Sequence, residues 1–577
     1  MYGVNALKMS TRHFLLLATL TMASGPIAAE PYADLVLLNG RIHTQDAVRR
    51  VVDAVAIRDR AIVATGTTAE IRALAGPNTR SIDLGQRIVL PGFIDAHSHP
   101  AQSSQDLDKC DLGDKLMTAS AVIAAAAECF KSAPGNASQW FEVMQVNPSA
   151  LVLSLAQLDS VSGKRPMILM GSDGHTTWAN SAALRASGIS ARTPDPISGR
   201  IEHDGHGQPT GTLRDNASEP VFAARPAIGL QAQAALLARA LTSMNASGIT
   251  SVQDASVGKD EMARYKVLYD DHRLKIRVRG SFNITNLAAP AARVVHDALS
   301  FRDHWAVDPD RLRADAIKIF ADGVIEYPSQ TAALLEPYLD AAGRPTTNRG
   351  PSYFRQDALN QIVAAVDAAG LTVHVHAIGD RAVRSSLDAF AYARAHGVGV
   401  GNRDQIAHLE LIDPADFPRF KLLDVSANFQ LLWANLDSYV SEATVAYLGP
   451  ERSTHLYPAR SLLDAGAMIV GGSDWNVSSF DVFQALEHAV TRGDPPLLPE
   501  QSISLQVALD AYTINAAYAL RQERITGSIE PGKRADLVVV DRDIFALDPH
   551  QLHTVSVLAT FLDGAEIYSA PAWKPQP

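Results

Sequence analysis

Between residues 90 and 475 short apolar runs alternate with longer amphipathic stretches. The runs at 92–99, 249–254, 276–282, 316–321, 372–377, 405–409, 425–429 and 468–473 read as strands. Two of the intervening stretches carry clear helix punctuation: 231–247 stops at Gly248, and 381–396 starts after Asp380 as an N-cap and stops at Gly397. Strand–helix alternation repeated eight times predicts an α/β fold, a closed parallel (β/α)8 TIM barrel. An open doubly wound sheet would call for a Gly-rich phosphate loop after an early strand, and the sequence has none. About 150 residues separate the first two strands, too many for a simple barrel connection, so a lobe is expected there, at about 105–225.

The texture differs at both ends. Asp34 to Asn39-Gly40, 41–44, 54–57 and 61–64 are short β runs, with Asn-Gly as a turn, and 33–90 reads as a small antiparallel sheet. Short strands return at 535–540 and 555–561. Segments 30–90 and 525–577 are therefore expected to build one β unit, flanking a barrel domain at 91–524. The first 29 residues stand apart: Lys8 and Arg12 precede an apolar run at 14–23, Gly25-Pro26 breaks it, and small residues end at Ala28-Ala29. That is the pattern of a cleaved export signal, and the run is too short to span a bilayer core of ~30 Å. A periplasmic or secreted protein without a stable membrane anchor is expected.

Composition narrows the classes. Of 577 residues 47% are hydrophobic and 20% charged, an ordinary globular balance that excludes extended disorder. Loss of the signal takes 51 basic side chains to 49 against 62 acidic ones, a net charge of -13. With no basic run, nucleic acid is not an expected partner. Cys110 and Cys129 are the only cysteines, enough for one local pair in an oxidising compartment but not for a folding framework or a four-thiolate zinc site. Any metal must be held by His and carboxylate.

The densest chemical signal is the run from Leu90 to Pro100, which contains His97-Ser98-His99. Side chains two apart on a strand project together, and the C-terminal end of a barrel strand is its active mouth. An H-x-H spacing alone is weak, since 18 His in a chain of this length yield one roughly every second time by chance. The weight comes from recurrence: Lys318, His376, His408 and Asp474 stand at the ends of later strands. Lys318 has no obvious counterion on its apolar strand, and an unpaired buried ammonium is costly.

With these words, and with 171–180, Pro209-Thr210-Gly211, 376–381 and 527–537, the sequence resembles the amidohydrolase superfamily, and within it the YtcJ-like branch (amidohydrolase family 3) that includes N-substituted formamide deformylases. The resemblance covers nearly all of the chain after the signal. It implies a (β/α)8 barrel with a β-sandwich made from both chain ends, and a hydrolase using one or two divalent metals, with Zn2+ as the default. It further implies that His97 and His99 hold the more buried ion, and that Lys318 bridges two ions as a carbamate. His376 and His408 would bind the second ion, while Asp474 binds the first and moves protons. His374, one layer deeper, is assigned to packing. His175, Trp178 and Asn180 lie in a word shared with the branch and are expected to face the substrate.

The chemistry expected from such a centre is attack of hydroxide, supplied by a metal that lowers the pKa of its water to about 7, on the carbonyl of an amide or N-acyl small molecule. Ester, lactone or deaminating hydrolysis at the same centre is the alternative, and a periplasmic metal-containing binding protein without turnover is the rival from another class. A homodimer is left open.

Overall fold

The structure is a computed structural model that describes residues 32–574 apart from 134–138, 149–150, 173–175, 197–198, 285–288, 328 and 438. The proposed export signal lies outside the described residues.

Eight strands form one sheet in chain order: β1 (Phe93–Ser98), β2 (Ile249–Val257), β3 (Arg277–Asn283), β4 (Leu312–Phe320), β5 (Thr372–Ala377), β6 (Gln405–His408), β7 (Ser426–Phe429) and β8 (Ile469–Gly471). Every pairing along it is parallel. The sheet curls into a (β/α)8 barrel. Its seam is drawn together just past β8, where the Asp474 N–H donates to the His97 carbonyl (2.7 Å) and Ser473 binds the Asp95 carboxylate.

The period-2 rule explains how one strand serves both layers. On β5, Val373 and Val375 enter the apolar layer under the helices, while Thr372, His374 and His376 carry the opposite parity. The helices answer with a 3.6-residue stripe: Leu359, Ile362, Val363 and Val366 on Gln356–Ala368, and Val383, Leu387 and Phe390 on Asp380–Ala395, all buried. Both expected helix patterns agree with observed helices to within one residue, at Leu230–Ala246 and Asp380–Ala395.

The small β unit is more elaborate than one antiparallel sheet. Two sheets face each other across a shared apolar layer that includes Leu35, Leu37, Val55 and Ile57 from one and Val89, Leu537, Val539 and Phe561 from the other. The six-stranded sheet joins both chain ends, with Leu537–Val540 antiparallel to Ile88–Pro91. Asn39-Gly40 does not close a hairpin: it carries the chain from Ala33–Leu38 in one sheet to Arg41–His43 in the other. Ala33–Leu38 pairs in parallel with Ala75–Asp83, because a crossover through the helix Thr68–Arg72 brings the chain back in the same direction. Arg277 at the start of β3 ties the barrel to this unit through a bidentate pair with Asp536 (2.7 and 3.0 Å).

Between β1 and β2 a separate six-stranded sheet runs from Cys110–Asp111 to Pro209–Asp215. Cys110 and Cys129 form a disulfide there, pinning the helix Ala119–Ser132 to the sheet edge.

Candidate metal centre

His97, Lys318, His376, His408 and Asp474 project from the C-terminal ends of β1, β4, β5, β6 and the turn after β8, with His99 just beyond β1. They meet. His99 Nε2 lies 3.1 Å and His97 Nε2 3.4 Å from Asp474 Oδ1, His408 Nδ1 is 3.9 Å from Asp474 Oδ2, and Lys318 Nζ is 3.3 Å from His97 Nε2. The His97 and His408 ring centres are 4.7 Å apart, and those of His376 and His408 4.3 Å. One ligand atom from each of His97, His99 and Asp474 falls within 4.8 Å of the others, and the 3.4 and 3.1 Å from the two imidazoles to Asp474 Oδ1 are near the roughly 3.3 Å that separates two ligands on tetrahedral bonds of ~2 Å.

Local sequence fixes this geometry. Gly472 lets the strand end lie against His97: a Cβ there would stand 2.6 Å from His97 Cβ and 2.7 Å from its backbone nitrogen. Asp95 accepts from Ser473 N (2.9 Å), Ser473 Oγ (2.6 Å) and His97 N (3.2 Å), clamping the two ligand-bearing segments together. His376 is oriented through Nε2, which donates to the Gly323 carbonyl (3.0 Å) and so leaves Nδ1 bare. Asp322 holds the turn beyond it, accepting from the backbone N–H groups of Ala333, Ile378 and Gly379. His408 stacks on Trp433, their planes 7° apart. His408 and Asp474 both adopt left-handed backbone (φ 78 and 54), a local strain of about 1–3 kcal/mol each of the kind concentrated at functional sites.

Burial sets the charge states. It holds the His97, His374 and His408 imidazoles well below their ordinary pKa, and together with the Lys318 charge brings His376 down to about 4. All are neutral near pH 7, the form that ligates a metal. Burial also lowers Lys318 to about 7, so much of it is free amine at neutral pH. Burial by itself raises the Asp474 carboxyl, but the His99 hydrogen bond and the charges of His99 and Lys318 outweigh it and leave Asp474 ionised.

The residues fit a divalent ion. Among the described residues neither ring nitrogen of His408 nor Nδ1 of His99 has a hydrogen-bond partner although all three are buried, at about 1–3 kcal/mol per group, and coordination would remove that cost at whichever His408 nitrogen ligates. The donor set of imidazole and carboxylate suits Zn2+ and similar ions.

Three expected substrate contacts fare differently. His175 lies outside the described residues. Trp178 is fully buried in the inserted lobe's own apolar core. Asn180 caps the helix Ser181–Ala186: its Oδ1 accepts from Ala183 N (2.9 Å) and Met167 N (3.0 Å), and its Nδ2 donates to Ser162 Oγ (3.0 Å) and the Arg165 carbonyl (2.9 Å). The expectation that Trp178 and Asn180 face the substrate is corrected, since one is core and the other has its amide fully committed within the lobe. Asp95, Asp322, Gln253 and His374, which brace the ligands, are not among the expected site residues: Asp95, Gln253 and His374 are marked only by polar side chains on buried strands, and Asp322 lies two residues past the end of β4.

The amidohydrolase family model matches residues 80–568. The chain belongs to the amidohydrolase family. As such it is a metal-dependent hydrolase. This amidohydrolase is 30% identical to the protein LONG AFTER FAR-RED 3 of Arabidopsis thaliana over 93% of the chain and 92% of that protein. It is 29% identical to the N-substituted formamide deformylase of Arthrobacter pascens over 93% of the chain and 98% of that enzyme. Among solved structures, an uncharacterized metal-dependent hydrolase from Pyrococcus furiosus superposes with a TM-score of 0.71 at 23% identity, covering 89% of this chain and 99% of that one.

Proposed function

We propose that this amidohydrolase cleaves the C–N bond of an amide or N-acyl small molecule at a divalent metal centre. His97, His99 and Asp474 would hold one ion and His376 and His408 a second, with Lys318 bridging as a carbamate. The observation that carries the reading is the convergence of these donors from five strand ends, with neither His408 nitrogen hydrogen-bonded among the described residues. A bound Zn2+ lowers the pKa of a water from 15.7 to about 7 and polarises a carbonyl. Asp474, ionised and hydrogen-bonded to His99, is placed to accept the nucleophile's proton and return it to the leaving nitrogen. Lys318 in its free-amine form is the species that condenses with CO2, and the product anion would replace a buried cation that His97 alone contacts at hydrogen-bond range among the described residues.

The full-length similarity to a formamide deformylase supports the amide class. Export is supported by the signal-like N-terminus and by the Cys110–Cys129 disulfide, a bond that persists in oxidising compartments.

Elemental analysis combined with an Asp474→Asn assay on a panel of N-acyl, N-formyl and ester substrates tests the reading. The expected result is bound divalent metal and amide turnover that falls by about 10²–10⁴-fold in the variant. Ester turnover without amide turnover would select the alternative chemistry, and a metal-loaded protein inert toward the whole panel would select the binding protein.

A further inference from the structure

We propose that Gln253 is a positioning residue that decides which ring nitrogen of His97 is bare, and thereby how tightly the first ion is held. The inference rests on the reading of His97 as a ligand.

A chain of hydrogen bonds crosses the barrel interior below the ligands. Asn428 Nδ2 donates to the Ala96 carbonyl (3.1 Å) and to Gln405 Oε1 (2.9 Å). Gln405 Nε2 donates to Gln253 Oε1 (3.1 Å) and to the Ala519 carbonyl (3.4 Å). Gln253 Nε2 reaches Ser281 Oγ (2.8 Å) and His374 Nδ1 (2.6 Å), and His374 Nε2 lies 2.9 Å from His97 Nδ1. Gln253, His374, Gln405, Asn428 and His97 are all fully buried, so none of them can turn to solvent instead.

The direction of this chain follows from its far end. Backbone carbonyls only accept, so those of Ala96 and Ala519 pin the amide nitrogens of Asn428 and Gln405 and leave Gln405 Oε1 toward Asn428. Gln253 must then turn its oxygen to Gln405 and its NH2 to His374. A ring nitrogen facing an N–H is bare, so His374 carries its proton on Nε2 and donates to His97 Nδ1. His97 is left with its proton on Nε2, the nitrogen that faces Asp474 and Lys318. Ligation through Nε2 needs that lone pair, so the chain must reverse its last links when an ion enters, and the amide direction weakens His97 as a ligand.

Gln253→Glu reverses those links without changing the shape of the side chain. Three neighbours, Gln405 Nε2, Ser281 Oγ and His374 Nδ1–H, can all donate to the new carboxylate. His374 Nε2 then accepts from His97 Nδ1–H, and His97 Nε2 becomes bare. The experiment measures Zn2+ affinity of the full chain by competition with a chelator, and the His97 tautomer of the metal-free protein by 15N NMR with [15N]histidine, assigned through His97→Ala. Expected are an Nε2–H tautomer in the wild type, an Nδ1–H tautomer in Gln253→Glu, and Zn2+ held about 10–100-fold more tightly by the variant.

An Nδ1–H tautomer in the wild type overturns the inference even if the variant fails to fold. Tighter binding with the tautomer unchanged also overturns it, by assigning the gain to added charge alone. If His97→Ala binds Zn2+ as well as the wild type, it is the ligand role of His97 that fails, and the tautomer readout still decides the role of Gln253.

Discussion

Replacement of Gly472 by Ala tests the geometry of the centre through a single methyl group. The added Cβ would lie 2.6 Å from His97 Cβ, 2.7 Å from His97 N and 3.0 Å from His97 Cα, where ordinary contacts begin at 3.4 Å. Relief takes a displacement of about 0.8 Å, and because most of the obstructing atoms are backbone it cannot come from a side-chain rotation alone. The segments that must part are those holding His97 and Asp474, which share the 2.7 Å hydrogen bond from Asp474 N to the His97 carbonyl. Overpacking of this kind costs about 1–3 kcal/mol of stability. The larger effect is on function, since a displacement near 1 Å of a catalytic group lowers turnover by about 10²-fold. Thermal unfolding, metal content and kcat/KM on an amide that the wild type hydrolyses give the three readouts. The expected variant is folded, holds its metal less tightly and turns over about 10²-fold more slowly. A variant with wild-type metal content and turnover would show that the two segments do not hold a shared coordination sphere.

Three further outcomes are expected. Lys318→Met removes a fully buried amine, so it should raise the stability of the metal-free protein by about 1–2 kcal/mol while lowering the metal content by at least one ion per chain; calorimetry and elemental analysis check both, and unchanged stoichiometry would exclude a bridging role. Asn180→Ala loses four hydrogen bonds and a helix cap, a cost of about 3 kcal/mol, with kcat/KM unchanged in the folded fraction; a selective rise in KM would return Asn180 to the substrate. Burial works against ionisation of Asp315, but the Arg279 and Arg313 guanidiniums outweigh it and hold its carboxyl at about 2. A depressed pKa gives stability that is fully present above about pH 4 and lost as the pH falls through 2, so Asp315→Asn should cost about 2 kcal/mol at pH 6 and under about 0.5 kcal/mol at pH 2 in denaturant titrations; an undiminished difference at pH 2 would rule out the ion pair as its source.

Periodicity determined a parallel sheet covered by helices, because apolar strands alternating with 3.6-residue helical stripes bury both kinds of face only in that arrangement, and the missing Gly-rich phosphate loop turned the choice from an open sheet to a closed barrel. Periodicity also determined which residues stand at the strand ends, and so His97, His99, Lys318, His376, His408 and Asp474 were legible as one set. What only the tertiary structure decided lies across the chain. Asn39-Gly40 has the composition of a hairpin turn, yet the chain changes sheets there, since a local signal fixes a bend but not the partner on its far side. Trp178 and Asn180 sit in a word that reads as a site, and long-range packing in the lobe absorbs them. The links from Asn428 through Gln405, Gln253 and His374 to His97 join five strands, and no pairwise spacing in the sequence encodes them. Direction in such a chain depends on which buried carbonyl each amide meets, a matter settled by closure of the barrel.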